Sequence, residues 1–229
     1  MKIYGLQKMT LLDYPSKVAA TVFLGGCDFS CPFCHNYEIV DGSATPLMDE
    51  AELFSFLKKR KGLLDGIVIT GGEPCLYKQL PDFAKKIKEL GFLVKLDTNG
   101  YHPDMVEELL SQRLIDYIAM DIKNSPAKYA QTSGLKNIDI DIISKSISLI
   151  MNSNIPYEFR TTTVAEFHKN EDFEEIGKWI QGAKAYYLQQ FTTRDTVPDK
   201  ALTAPSETDM MLFLKTVQKY VPAAELRGL

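Results

Sequence analysis

Residues 18–34, VAATVFLGGCDFSCPFC, decide how the rest of the chain is read. VAATVFL is a short apolar run with β-branched residues, suited to a strand buried on both faces. Gly25-Gly26 lets the backbone turn tightly, and three cysteines follow at once, spaced Cys27-x3-Cys31-x2-Cys34. A buried strand that runs straight into a thiol-rich loop suggests looking for more strands of this kind, each ending in polar or glycine residues.

Such runs recur at 67–70 (IVIT), 93–97 (LVKLD), 115–122 (IDYIAMDI), 157–164 (YEFRTTTV) and 186–191 (YYLQQF). Helical patterns fill the gaps. The first follows Thr45-Pro46, has Asp49, Glu50 and Glu52 at its start and Lys58 to Lys61 at its end, and stops at Gly62. That charge order complements the helix dipole, so the basic run reads as a helix end and not as a binding patch. Later helices carry apolar stripes, among them Leu80, Phe83, Ile87 and Leu90, then Ile140, Ile143, Ile147 and Ile150. These stripes are core. Parallel strands joined by helices close right-handedly. Six βα units over 18–221 therefore predict an α/β fold, a partial (β/α)6 barrel with a mostly parallel sheet. Residues 1–17 read as an added strand and turn, bent at Asp13-Tyr14-Pro15, and no linker or repeat divides the 229 residues, so a single domain is expected. In this architecture chemistry sits at the C-terminal strand ends.

Composition narrows the function. The chain is 45% hydrophobic and 24% charged with a net charge of −4, which suits a globular protein and argues against a nucleic-acid backbone as partner. No unbroken apolar stretch is long enough to span a bilayer. The N-terminal MKIYGLQKMTLLDYPSK lacks a secretory signal's apolar block. A cytoplasmic protein is expected, in which four cysteines point to metal or catalysis more than to disulfides.

Three closely spaced thiolates can wrap one iron–sulfur cube, each taking one iron. Structural zinc commonly uses two ligand pairs, and no second CxxC exists here. An electron carrier would want a fourth cysteine. Cys75 is the remaining one, directly after GGEP, and it reads more readily as a small half-buried thiol. Three cysteines without a fourth leave one iron open for a small molecule. CxxxCxxC with Phe33 before the last cysteine resembles the radical S-adenosylmethionine (SAM) superfamily. The resemblance implies a [4Fe–4S] cluster on Cys27, Cys31 and Cys34, SAM chelated at the open iron, and Phe33 and His35 against the adenine.

The other strand ends extend the resemblance. Thr70-Gly71-Gly72-Glu73-Pro74 is a plausible plain turn on its own, but after the cysteine motif it looks like the GGE motif that holds the SAM amino group. Asp97-Thr98-Asn99-Gly100 is good turn chemistry, and Lys123 in Asp121-Ile122-Lys123 could be merely solvated. Yet both stretches resemble the activases of glycyl radical enzymes, typified by pyruvate formate-lyase activating enzyme. There the matching stretches, with Asn99 here, line the SAM site, and the lysine lies near the SAM carboxylate. Asp97, Thr98 and Asp121 would by the same resemblance bind a monovalent cation. Arg160 fits a contact to SAM ribose or carboxylate, and fits a structural ion pair equally well. Gln189-Gln190 stand where those activases place a histidine.

DYPSK, FLGGCDFSCPFCHN, TGGEP, LDTNG and MDIK together are most similar to the activating proteins of anaerobic ribonucleoside-triphosphate reductases. That group implies an oxidoreductase working anaerobically. A reduced flavodoxin- or ferredoxin-type donor feeds the cluster, one electron cleaves SAM, and the resulting 5′-deoxyadenosyl radical takes hydrogen from a glycine of a glycyl radical enzyme. A small-molecule enzyme such as 7-carboxy-7-deazaguanine synthase is the nearest rival, and a non-catalytic iron–sulfur carrier is the rival from another class.

Overall fold

The computed structural model describes residues 1–228. Strand β1 (Lys2–Thr10) runs antiparallel to β2 (Ala19–Leu24), joined by the bend at Asp13-Tyr14-Pro15, where Lys17 N donates to the Tyr14 carbonyl at 3.1 Å. A short helix α1 (Tyr37–Val40) and a two-residue strand β3 (Met48–Asp49), antiparallel to β1, precede α2 (Glu50–Lys58). Helix α2 starts on a capping box: Glu52 N donates to Asp49 Oδ1 and Asp49 N to Glu52 Oε2, each at 2.9 Å. The alternation then runs β4 (Gly66–Gly71), α3 (Leu80–Glu89), β5 (Leu93–Thr98), α4 (Pro103–Ser111) and β6 (Tyr117–Asp121). It continues through α5 (Tyr129–Ser133), α6 (Ile140–Met151), β7 (Tyr157–Thr163), α7 (Asn170–Trp179), β8 (Tyr186–Gln190), α8 (Glu207–Val217) and β9 (Ala224–Arg227).

The sheet order is β3-β1-β2-β4-β5-β6-β7-β8-β9, and every pair from β2 onward is parallel. All six expected βα units are present. The structure adds a seventh parallel strand, β9, beyond the expected end at 221. Its sequence AELR has no apolar run to reveal it. It is held by pairing with β8 and by Arg227, whose guanidinium donates to both Glu158 oxygens at 2.8 and 3.0 Å and lies 3.3 Å from the Tyr187 ring centroid. The edges β3 and β9 are not paired with each other, so the barrel stays open along one side.

The two-residue period of the strands sorts their side chains. Ile67, Ile69, Val94, Leu96, Ile118, Met120 and Phe159 face the covering helices and join Phe83, Ile87, Leu109, Ile147 and Phe173 in the main core. The alternate positions face the lumen. Tyr14, Ala19 and Val68 close its lower end, with Leu93 and Tyr117 packed on them. Above this plug the lumen is polar, carrying Lys95, Asp97, Asp121, Glu158 and Arg160. The top, where the parallel strands end, is left for the loops.

Candidate active site

The cysteine loop leaves β2 at Leu24 and is clamped from several directions by backbone bonds. Gly26 N donates to Ile39 O at 2.9 Å, Ser30 N to Ser133 O at 2.9 Å, and Asp199 N to Pro32 O at 3.1 Å. The end of β4 adds Gly72 N to Leu24 O at 2.9 Å and Glu73 N to Gly26 O at 2.8 Å. Gly72 is required here, because a Cβ on it would run into the Gly26 carbonyl. Gly134 caps α5 with φ +73, and a Cβ there would strike the Ser30 carbonyl. The glycines of TGGEP thus let two loops touch backbone to backbone.

Cys27, Cys31 and Cys34 line one cavity of about 270 Å³ at the top of the barrel. Phe33, His35, Gly71, Gly72, Asp97, Thr98, Asn99, Asp121, Lys123 and Arg160 line the same cavity. The structure therefore brings together every residue expected at the site except Glu73. That carboxylate is fully buried and faces away from the cavity. Its Oε1 accepts from Cys75 N at 2.9 Å and from the Thr98 hydroxyl at 2.8 Å, while Oε2 accepts from Asn99 N at 2.6 Å. Burial pushes its pKa up, against those donors. Glu73 ties the TGGEP turn to the DTNG turn, and Gly71 and Gly72 are the part of the motif exposed to the cavity.

Cys75 also lies behind this turn, buried, with its Sγ 3.6 Å from the Thr98 hydroxyl, and it does not line the cavity. Among the described residues, no three His, Cys, Asp or Glu side chains form a group around a single metal ion. Burial raises the Cys27 thiol to about 12 and Cys31 to about 11, and raises Cys34 as well, with the Lys123 ammonium opposing in each case. Thiols in such surroundings ionise only beside strong positive charge. The donor set fits a cluster whose irons supply that charge, with no fourth chain thiol to close it.

The cavity floor is an ion-pair chain. Arg160 Nε donates to Asp121 Oδ1 at 3.0 Å and its NH1 to Asp97 Oδ2 at 3.2 Å; Lys95 reaches Asp97 at 2.6 Å and Lys123 reaches Asp121 at 3.0 Å. Burial works against the Asp121 charge, yet Arg160 and Lys123 hold the acid down at about 2. Asp97 is likewise lowered by Arg160 and Lys95 despite burial. Of the oxygens expected around a monovalent cation, those of Asp97 and Asp121 are thus bridged by the Arg160 guanidinium, and the Thr98 hydroxyl is turned to Glu73. On the opposite wall, His35 stacks on Phe191 with centroids 5.8 Å apart and places Nε2 2.7 Å from the Thr192 carbonyl, so Nε2 carries the proton. Phe33 packs on Phe167 at 6.2 Å, with the Lys123 ammonium 6.0 Å from its ring.

Phe29, Asn36, Val40, Thr70 and Thr162 also line the cavity, though the sequence did not single them out as site residues. Asn36 donates its amide to Gly71 O at 3.0 Å, another bond between the cysteine and glycine loops. Gln189, at the end of β8, also lines the cavity.

The amino-acid sequence matches the family model of the Radical SAM superfamily over residues 21–180. The chain belongs to the radical SAM superfamily. As a radical SAM enzyme it takes an iron–sulfur cluster and SAM as cofactors. MJ1227 of Methanocaldococcus jannaschii, which bears the provisional name glycyl-radical enzyme activating enzyme, is 36% identical over 98% of this chain and 95% of its own length. The pyruvate formate-lyase-activating enzyme of Clostridium pasteurianum is 31% identical over 54% of this chain and 52% of its own. Among solved structures, Streptococcus suis SuiB bound to S-adenosylmethionine superposes with a TM-score of 0.69 at 13% identity, covering 91% of this chain and 52% of that one, a likeness of fold. The open, mostly parallel barrel described above is the radical SAM fold. Among the described residues no helix is long and apolar enough to cross a membrane.

Proposed function

We propose that this radical SAM enzyme is an activase that installs a glycyl radical on a partner enzyme, an anaerobic ribonucleotide reductase being the first candidate. The observation that carries this reading is the end-to-end similarity to MJ1227. The open side of the barrel between β3 and β9 supports it, since a glycine loop of another protein needs lateral entry to the cavity. When bound, the cluster and SAM supply the one-electron and hydrogen-abstracting chemistry. The chain's own residues position and shield. Cys27, Cys31 and Cys34 would hold the cluster, and Gly71 and Gly72 present backbone to the amino-acid end of SAM. Lys123 and Arg160 offer positive charge to its carboxylate, while Phe33 and His35 offer ring faces to its adenine. The Tyr14–Val68–Tyr117 plug keeps water out from below. A reduced flavodoxin or ferredoxin is the proposed electron donor.

Lys123→Ala is expected to weaken SAM binding about tenfold or more, the loss of a charge-assisted contact worth roughly 1.5–3 kcal/mol. Asp121 keeps its Arg160 partner, so the fold and the iron content should hold. Equilibrium binding of SAM to the reconstituted variant checks this, and unchanged affinity would remove Lys123 from the SAM site.

The functional test is electron paramagnetic resonance on candidate glycyl radical enzymes, incubated anaerobically with reduced protein and SAM. A glycyl doublet is expected, and it should vanish when the partner's glycine is replaced by alanine. Rapid 5′-deoxyadenosine formation with a small molecule, and no glycyl radical on any candidate, would instead favour an enzyme of the 7-carboxy-7-deazaguanine synthase kind.

A further inference from the structure

One cluster of polar side chains beside the cavity is not used by the proposed function. Asp28 follows Cys27 directly. Its Oδ1 accepts from Asn99 Nδ2 at 2.7 Å, and its Oδ2 lies 2.9 Å from His102 Nε2. The amide of Asn99 can face only one way, because its Oδ1 accepts from Tyr101 N at 2.9 Å, which leaves the NH2 for Asp28 and for Cys27 Sγ at 3.8 Å. Phe29 N also donates to Cys27 Sγ, at 3.4 Å. Asn99 is in turn fixed through its backbone N–H by buried Glu73 at 2.6 Å. His102 itself does not line the cavity; it stands at the start of α4, with its side chain 30% exposed.

The consequence is electrostatic. A carboxylate 3.8 Å from the Cys27 sulfur would make the addition of an electron at that ligand harder. Hydrogen bonds to ligand sulfurs, and charge near them, are main determinants of cluster potential. His102 answers the Asp28 charge from the outer side, and the hydrogen bonds keep Asp28 aimed at Asn99 so that the amide continues to donate to Cys27. We propose that His102 is a positioning residue which, acting through Asp28 and Asn99, holds up the reduction potential of the cluster at Cys27. The inference rests on the reading of Cys27 as a cluster ligand.

The test compares wild type, His102→Ala, His102→Gln, Asp28→Asn and the double variant, each reconstituted anaerobically with iron and sulfide. Iron per chain is measured first, then the midpoint of cluster reduction by paramagnetic resonance. His102→Ala should shift the one-electron equilibrium about tenfold toward the oxidised cluster, a midpoint about 59 mV lower. His102→Gln, which can keep a hydrogen bond to Asp28, should recover part of that shift. In the Asp28→Asn background His102→Ala should have no further effect, because the charge it answers is gone. Full iron content with an unmoved midpoint in His102→Ala overturns the inference alone, as does a shift that persists undiminished without the Asp28 charge. Failure of the wild type to take up iron overturns the ligand assignment beneath it.

Discussion

Anaerobic reconstitution should load about four irons per chain, and Cys27→Ala, Cys31→Ala or Cys34→Ala should each abolish that uptake. Each of these thiols lines the shared cavity, Cys31 buried and Cys27 and Cys34 half-buried, and the remaining cysteine, Cys75, does not. Cys75→Ala should leave uptake intact, since Cys75 sits behind the TGGEP turn against Thr98. Iron analysis and the charge-transfer absorption of the cluster read the outcome. Loss of the cluster in Cys75→Ala would mean four chain ligands and no open iron, and the non-catalytic carrier would become the better reading.

Glu73→Ala should chiefly damage stability. The substitution removes the acceptor for Cys75 N, Asn99 N and the Thr98 hydroxyl, all of them buried. An orphaned buried donor costs roughly 1–3 kcal/mol, so the variant should lose about 3 kcal/mol or more. For a chain of this size that is a fall in Tm of about 6–12 °C. Glu73→Gln keeps one acceptor oxygen and should lose less. Thermal unfolding of the cluster-free protein makes the measurement independent of cofactors. A normal Tm together with lost SAM binding would mean that the carboxylate reaches the ligand, against the geometry found here.

The six strands were legible because each sets apolar residues on the face that packs against the helices and ends in polar or glycine residues. β9 was not, since Ala224-Glu225-Leu226-Arg227 owes its place to β8 and to the Arg227–Glu158 pair, partners far away in sequence. The site shows the same division. Residue types and strand-end positions foretold which groups would meet, and Cys27, Gly72, Asn99 and Lys123 do line one cavity. Direction was beyond reach: a glutamate after two glycines reads alike whether it faces a ligand or, as Glu73 does, the turn behind it. Arg160 was open between ligand contact and ion pair; it lines the cavity and pairs with both Asp97 and Asp121. The pairing of His102 with Asp28 was not legible, since one is a lone histidine and the other a spacer in the cysteine loop, joined only by the fold.

The clamps on the cysteine loop bear on which substitutions it can tolerate. Its bonds to Ile39, Ser133, Glu73 and Asp199 are bonds of backbone to backbone. Small zinc domains, by contrast, stay unfolded until the metal arrives. Here backbone bonds fix the path of the loop without help from any side chain, so the loop should keep its course when a cysteine is replaced, and Cys27→Ala should unfold at nearly the temperature of the cluster-free wild type.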